Sequence, residues 1–290
     1  MKLASIVHEQ QTRIALVLGD NFIDVARHLP DAPTSLIEII TRWGELGPKL
    51  KVLEAATPDG RLADVTLDAP IRRPGKIFAI GLNYADHCEE AGMALPTEQI
   101  WFTKAPSAIN PPYAAVEIPA VSDSLDYEAE MVVVIGKTCR NVPAERFEDV
   151  VFGYCVGNDL TIRAWQPPQG QWSLSKSFDT CAAIGPWITT SDEIDPHALD
   201  IRSFVNGELR QNSNTRHLVF GVGQMIEHLS KAMTLEPGDL IFTGTTGGVG
   251  VVWNGSPHYL AVGDITRVEI DRLGVLEAVV KQGSNDVRIG

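Results

Sequence analysis

Leu125-Asp126-Tyr127-Glu128-Ala129-Glu130-Met131-Val132-Val133-Val134-Ile135 decides how this chain is read, because alternating acids lead directly into an unbroken apolar run. The run predicts a buried strand over Met131 to Ile135. Side chains alternate along a strand, so Glu128 and Glu130 point the same way and repel each other unless something positive lies between them. An oxygen-preferring divalent cation resolves that repulsion, since Mg2+ typically takes one or two carboxylates together with water and substrate oxygens. A solvated, charged strand edge accounts for the same two residues, and the pair alone does not choose between the readings.

The composition surrounding this segment is that of an ordinary globular enzyme. The chain has 290 residues, 44% of them hydrophobic, which suffices for one large domain or a main domain with a smaller one. Lys and Arg number 24 against 37 Asp and Glu, a net charge of -13 that argues against a general nucleic-acid or anionic-membrane binder. It leaves open a small anionic substrate held through a metal. Cys88, Cys139, Cys155 and Cys181 are widely spaced with no CxxC, so they read as reduced core thiols. No apolar stretch approaches the roughly 20 residues of a membrane span, and the Met-Lys-Leu start lacks a signal-peptide core, so a cytoplasmic location is expected.

Residues 1–70 read as a small N-terminal α+β domain. Short strands are expected at Lys2 to Val7, Thr12 to Leu18 and Phe22 to Val25, then a helix from Leu36 that Gly44 and Gly47-Pro48 interrupt. The boundary falls in Ala69-Pro70-Ile71-Arg72-Arg73-Pro74-Gly75. Residues 71–290 alternate many strands with one clear helix, Gly221 to Ala232, whose Val222, Met225, Ile226 and Leu229 recur at helical spacing. The lack of regular strand-helix alternation argues against a doubly wound sheet, and an α+β, mainly β architecture is predicted.

Three further clusters carry chemistry. In Gly81-Leu82-Asn83-Tyr84-Ala85-Asp86-His87-Cys88-Glu89-Glu90, Asn83 can cap a short helix on which His87 and Glu90, three apart, share a face. A carboxylate orienting an imidazole suits a general base, although such pairs are routine on surface helices. Asp159, after the apolar stretch Val151 to Val156, offers a third carboxylate, and Lys176 offers either a loop charge or a fixed ammonium facing the site. The loop Thr243-Gly244-Thr245-Thr246-Gly247-Gly248 lacks the Gly-Lys-Ser/Thr ending of a nucleotide-binding loop. Its amides can hold a substrate carboxylate, or the glycines can serve close packing.

Taken in order, these segments resemble the fumarylacetoacetate hydrolase superfamily over roughly Ile71 to Lys281. The resemblance rests on Gly-x-Asn-Tyr-x-x-His-x-x-Glu at 81–90, Asp-Tyr-Glu-x-Glu at 126–130, Gly-Asn-Asp at 157–159, Lys-Ser-Phe-Asp-Thr at 176–180, Val-Asn-Gly-Glu at 205–208 and Leu-x-Pro-Gly-Asp-x-Ile-x-Thr-Gly-Thr at 235–245. It implies a mixed β-sandwich roll and a homodimer built through the catalytic domain. It implies further that Glu128, Glu130 and Asp159 coordinate Mg2+ or Mn2+, that His87 and Glu90 form a water-activating dyad on a lid, and that Lys176 stands beside the metal. Arg163, Gln166 and Thr245 would line the substrate pocket. Where some members carry a fourth carboxylate, this chain has Lys104, so the three-carboxylate version is expected. The family commonly continues Thr-Gly-Thr with Pro, whereas Thr246 follows here.

The chemistry expected from the resemblance is hydrolysis of a carbon-carbon bond in a 2,4-dioxo acid, either an acylpyruvate or a 2,4-dioxo-3-deoxy sugar acid. A small 2-oxo-carboxylate chelates the cation, His87 activates water against the distal carbonyl, and the cation with Lys176 stabilises the departing enolate. The same residues allow an oxaloacetate-type decarboxylase or a hydroxymuconate-type isomerase, and a metal-stabilised binding module is the non-enzymatic alternative. Specificity is expected to reside in Met93 to Glu98, Gln169 to Ser173 and Gly247 to Pro257.

Overall fold

A computed structural model describes residues 1–8, 10–167, 171–287 and 289, with Trp253 and Asn254 described for backbone alone. Of the expected specificity residues, Gln169 and Gly170 lie outside the described residues. The architecture is mainly β, as the many candidate strands and the lack of strand-helix alternation predict. Ala129–Ile135 lies at the centre of a mixed sheet, antiparallel to Val151–Asp159 on one side and to Leu240–Phe242 on the other. Leu240–Phe242 then runs parallel to Ile77–Gly81, which pairs antiparallel with Ile100–Thr103 at the edge. A second sheet, ordered Glu208–Asn214, Asp200–Val205, Ile265–Ile270, Gly274–Gln282 and Val116–Ile118, packs over the first.

The continuous apolar run of the central strand follows from its double burial. Val132 and Val134 enter one core with Leu3, Phe152 and Phe242, while Met131, Val133 and Ile135 enter another with Met225, Ile226 and Val268. Both faces need apolar residues, so polar alternation disappears. Glu128 and Glu130 share the parity of Val132 and Val134 and so fall where that face runs out at the end of the strand. The helix Val222–Ala232 presents Val222, Met225, Ile226 and Leu229 to the second core, as their spacing predicts.

One expectation is corrected, and one strand is new. The helix of the N-terminal region does not stop at Gly44 or Gly47-Pro48: Leu36–Thr41 is followed after one residue by Trp43–Leu53, with Pro48 inside. An interior proline costs about 3 kcal/mol. Leu46 and Leu50, buried in the core shared with Leu3, Ile14 and Leu16, contribute roughly 1.5–3 kcal/mol each and outweigh it. A central strand absent from the sequence reading is Ala182–Thr190, with Gly185-Pro186 inside it. Pro186 falls in a bulged stretch where the register against Val151–Asp159 shifts between Tyr154 and Val156, so its missing N–H is not required there.

Lys2–His8 pairs with Ala182–Thr190, placing Lys2 opposite Thr189 and Leu3 opposite Ile188, so the N-terminal strands extend the large sheet. The Met1 amino group adds contacts to Thr190 Oγ1 at 2.7 Å and Glu193 Oε1 at 2.9 Å. Among the described residues no helix is long and apolar enough to cross a membrane.

Candidate active site

Two paired strands assemble the acidic cluster. Ala129 stands opposite Asn158, and the Asp159 N–H donates to the Glu128 carbonyl at 2.8 Å while the Glu128 N–H donates to Asn158 Oδ1 at 3.0 Å. The pairing carries Asp159 alongside Glu128 and Glu130, and carboxylate oxygens from all three buried residues lie within 4.8 Å of one another.

Cations surround this cluster. Lys176 Nζ reaches Glu128 Oε2 at 2.6 Å and Asp159 Oδ2 at 2.8 Å. Arg163 donates from Nε to Asp126 Oδ2 at 2.8 Å and places Nη2 at 2.7 Å from Glu128 Oε1, a contact too poorly aligned to count as a hydrogen bond. Lys104, fully buried, donates to Asp159 Oδ1 and to the Lys176 carbonyl. Burial disfavours the Glu128 carboxylate, but Lys176 and Arg163 override it and hold its pKa at about 2. Glu130 lacks such a partner; burial, then the charges of Asp159 and Glu128, push it well above the ordinary carboxylate range. Burial alone would depress Lys176, yet Asp159 and Glu128 outweigh burial and raise it.

This donor set fits a divalent cation. Asp126, Glu128, Glu130 and Asp159 face Lys104, Lys176 and Arg163, four carboxylates against three fixed cations, and Glu130 is the acid left in excess. A divalent ion would remove the reason for the raised Glu130 pKa and leave one surplus positive charge, which a carboxylate substrate would balance. Hard oxygen donors of this kind suit Mg2+ or Mn2+.

The cluster forms one wall of a cavity of about 70 Å3. Seven of the nine expected site residues line it: His87, Glu128, Glu130, Arg163, Gln166, Lys176 and Thr245. Asp159 and Glu90 do not, and reach it through Lys176 and His87. His87 Nδ1 is buried without a hydrogen-bond partner and lies 3.9 Å from Glu90 Oε2, so the expected dyad is adjacent but not hydrogen-bonded. Glu90 Oε2 instead accepts the Gly248 N–H at 2.8 Å. Gln166 Oε1 accepts from Arg163 Nη1 at 2.8 Å, and Thr245 Oγ1 donates to the Ala129 carbonyl at 3.0 Å.

Two local expectations change. Asn83 does not cap the helix Ala85–Glu90, whose N-cap is Tyr84; its side chain bridges the Phe220 backbone and the Thr243 carbonyl instead. The glycine-rich loop spends its amides on the protein's own acids. Gly244 N–H goes to Glu130, Gly247 to Asp86, Gly248 to Glu90, and Gly250 and Val251 to Asp126. The loop therefore braces the site, and these five amides are not free to bind a substrate carboxylate.

Sequence reasoning assigned no role to Asp126, Gln211 or Phe102, and placed Trp172 only within the expected specificity segment Gln169 to Ser173. Asp126, inside the quoted acidic motif, ties Arg163 to the glycine loop. Gln211 connects Ala129 with Thr245 and Thr246. Phe102 and Trp172 form the aromatic wall, ring centroids 5.6 Å apart. Gly81 shows why: a Cβ there would meet the Trp172 ring at 2.4 Å, so this position is glycine to admit the indole. No residue spacing signals these contacts.

A mixed sheet that buries three carboxylates beside a lysine and a histidine-bearing helix defines the class: a mainly β protein with a candidate divalent-metal site. The family model for the fumarylacetoacetate hydrolase C-terminal domain matches residues 76–281, and the chain belongs to that family. It is 38% identical to a fumarylacetoacetate hydrolase domain-containing protein 2 homolog of Dictyostelium discoideum over 95% of this chain and 94% of that one. Among solved structures, maleylpyruvate hydrolase from Sphingobium sp. SYK-6, in complex with manganese(II) and pyruvate, matches at 34% identity and a TM-score of 0.83, covering 98% of this chain and all of the other. The 5-carboxymethyl-2-hydroxymuconate delta-isomerase of Mycobacterium smegmatis matches at 32% identity and 0.77, with the same coverage.

Proposed function

We propose that this protein is an Mg2+- or Mn2+-dependent hydrolase that cleaves a carbon-carbon bond in a 2,4-dioxo acid. The observation that carries the reading is that His87, with Nδ1 unpartnered, lines the same small cavity as Glu128, Glu130 and Lys176. A purely structural metal site has no use for a half-buried base lining the same cavity. The Sphingobium relative, solved with manganese and pyruvate, supports a 2-oxo-carboxylate ligand.

Glu128, Glu130 and Asp159 would hold the cation, whose chemistry when bound is to chelate and polarise a 2-oxo-carboxylate. Arg163 and Lys176 keep Glu128 ionised for that task. His87 Nδ1 faces Glu90, so Nδ1 is the nitrogen that keeps its proton once the 3.9 Å gap closes, leaving Nε2 as the base. His87 then takes a proton from water as the water oxygen adds to the C4 carbonyl. The C3–C4 bond breaks, its electron pair passes to C3, and the Lys176 ammonium offsets the enolate charge. His87 returns the proton to C3, releasing pyruvate or a substituted 2-oxo acid together with a carboxylic acid.

Proton transfer by His87 without water addition would make the same site an isomerase, the activity named for the M. smegmatis relative. An oxaloacetate-type substrate would lose CO2 instead. A panel of acylpyruvates, 2,4-dioxo-3-deoxy sugar acids, oxaloacetate and a 2-hydroxydienoate, assayed with the Mn2+-loaded protein, decides among them. Equal amounts of 2-oxo acid and carboxylic acid are expected. Turnover confined to decarboxylation or isomerisation overturns the hydrolase reading, and no turnover at all favours the binding module.

A further inference from the structure

The helix that carries His87 and Glu90 has only six residues, Ala85–Glu90, too few to hold its shape unaided. Its order therefore comes from what it docks on. At its entry the Val219 N–H donates to the Asn83 carbonyl at 2.8 Å, and the Asn83 side chain engages Phe220 in both directions. At its end Glu90 accepts from Gly248. Between these, Asp86 Oδ2 accepts a hydrogen bond from Ser213 Oγ, and Ser213 Oγ lies 3.1 Å from His217 Nδ1.

The proton inventory orders this chain. An ionised Asp86 only accepts, so Ser213 spends its single proton on Asp86 and its oxygen must accept from His217 Nδ1–H. Asp86 and Glu90, four residues apart, share one helix face, which is fastened to Ser213, Gly247 and Gly248. His87 lies about 100° further round the helix, towards the cavity. Fastening the first face sets the rotation of the helix about its axis, and hence where the imidazole points.

We propose that Asp86, Ser213 and His217 form a clasp that positions the His87–Glu90 pair, with His217 orienting the Ser213 hydroxyl. The functional part of this proposal rests on reading His87 and Glu90 as the water-activating pair; the mechanical part does not. Both parts are tested with the full-length Mn2+-loaded protein as wild type, Ser213→Ala and Ser213→Thr. Amide hydrogen exchange in Ala85–Glu90 is expected to rise by roughly tenfold in Ser213→Ala, the loss of one charge-assisted hydrogen bond, while Ala129–Ile135 exchanges as before. On acetylpyruvate, kcat falls with KM and pyruvate inhibition unchanged, and Ser213→Thr, which keeps the hydroxyl, restores both exchange and kcat. Unchanged exchange in Ala85–Glu90, or a rise shared by Ala129–Ile135, overturns the clasp. An active His87→Ala enzyme removes the pair's assigned role, and the exchange result still decides whether the helix is clasped.

Discussion

Lys176 Nζ stands 2.6 Å from Glu128 Oε2, inside the acidic cluster, and the same nitrogen holds Asp159 Oδ2 at 2.8 Å. One ammonium thus joins two of the three carboxylates expected to hold metal. Removing it leaves two buried acids with fewer partners, a loss of about 3–5 kcal/mol by analogy with broken buried ion pairs. Lys176→Met is expected to unfold at markedly lower temperature than wild type when metal-free, and to regain part of the difference with Mn2+. Calorimetry with and without the ion checks this; equal melting temperatures for the two metal-free proteins would show that Lys176 is not structural.

His87→Ala should lower kcat by about two to four orders of magnitude, the usual contribution of a positioned general base. Glu90→Gln should act in the same direction but less strongly, since Glu90 only orients the ring and retains an oxygen for the Gly248 amide. Steady-state kinetics on the preferred substrate measure both, and unchanged turnover in His87→Ala refutes the base assignment.

Metal affinity should rise with pH. Glu130 has its pKa raised in the metal-free fold, so between about pH 4.5, its ordinary value, and that higher value it keeps a proton which the cation must displace. Ionising it without metal destabilises the fold as pH rises through this window. Glu128 behaves oppositely: with its pKa depressed to about 2, its stabilising contribution is present above pH 4.5 and is lost as pH falls towards 2. Mn2+ titrations at pH 5.5 and 7.5 should show tighter binding at the higher pH with proton release, and a pH-independent constant would contradict the raised Glu130. Chelation should abolish turnover, and a cation at 100 times its dissociation constant should stabilise the protein by about 2.7 kcal/mol.

Lys104 is fully buried against Asp159 and does not line the cavity. Lys104→Met should therefore destabilise the protein by several kcal/mol, in the range of about 3–5 kcal/mol for a broken buried pair. Any folded fraction should keep a near-normal KM. Denaturant melts combined with kinetics on the soluble enzyme separate the two effects.

Gly248 has φ +100°, and a Cβ there would lie 2.0 Å from the Arg210 carbonyl oxygen. Gly248→Ala should displace the loop and withdraw the amide that holds Glu90, lowering stability by more than about 1 kcal/mol and reducing kcat. Normal stability and activity in this variant would show that the loop does not brace the helix.

Much of the site was legible because its residues sit at chain positions with strong local signals. Glu128 and Glu130 immediately precede an apolar run that reads as a strand, and His87 and Glu90 share a helix face by spacing alone. Asp159 was legible as the end of the next apolar stretch. Other parts had no local signal. Ala182–Thr190 hides a central strand behind Gly185-Pro186, because a bulge removes the usual penalty for proline. The glycine loop showed its donors but not its acceptors, which come from Asp86, Glu90, Asp126 and Glu130, between 114 and 161 residues away in sequence.

From sequence alone follow the mainly β class, the family and the acids that face one another, since periodicity and ordered motifs are properties of neighbouring residues. The tertiary structure decided the electrostatic state of those acids. Glu128 and Glu130 are two residues apart and chemically identical, yet one is held ionised by Lys176 and Arg163 while the other is driven towards its neutral form by burial and by its fellow carboxylates. That difference depends on distances to charges brought together from remote parts of the chain, which only the folded packing sets.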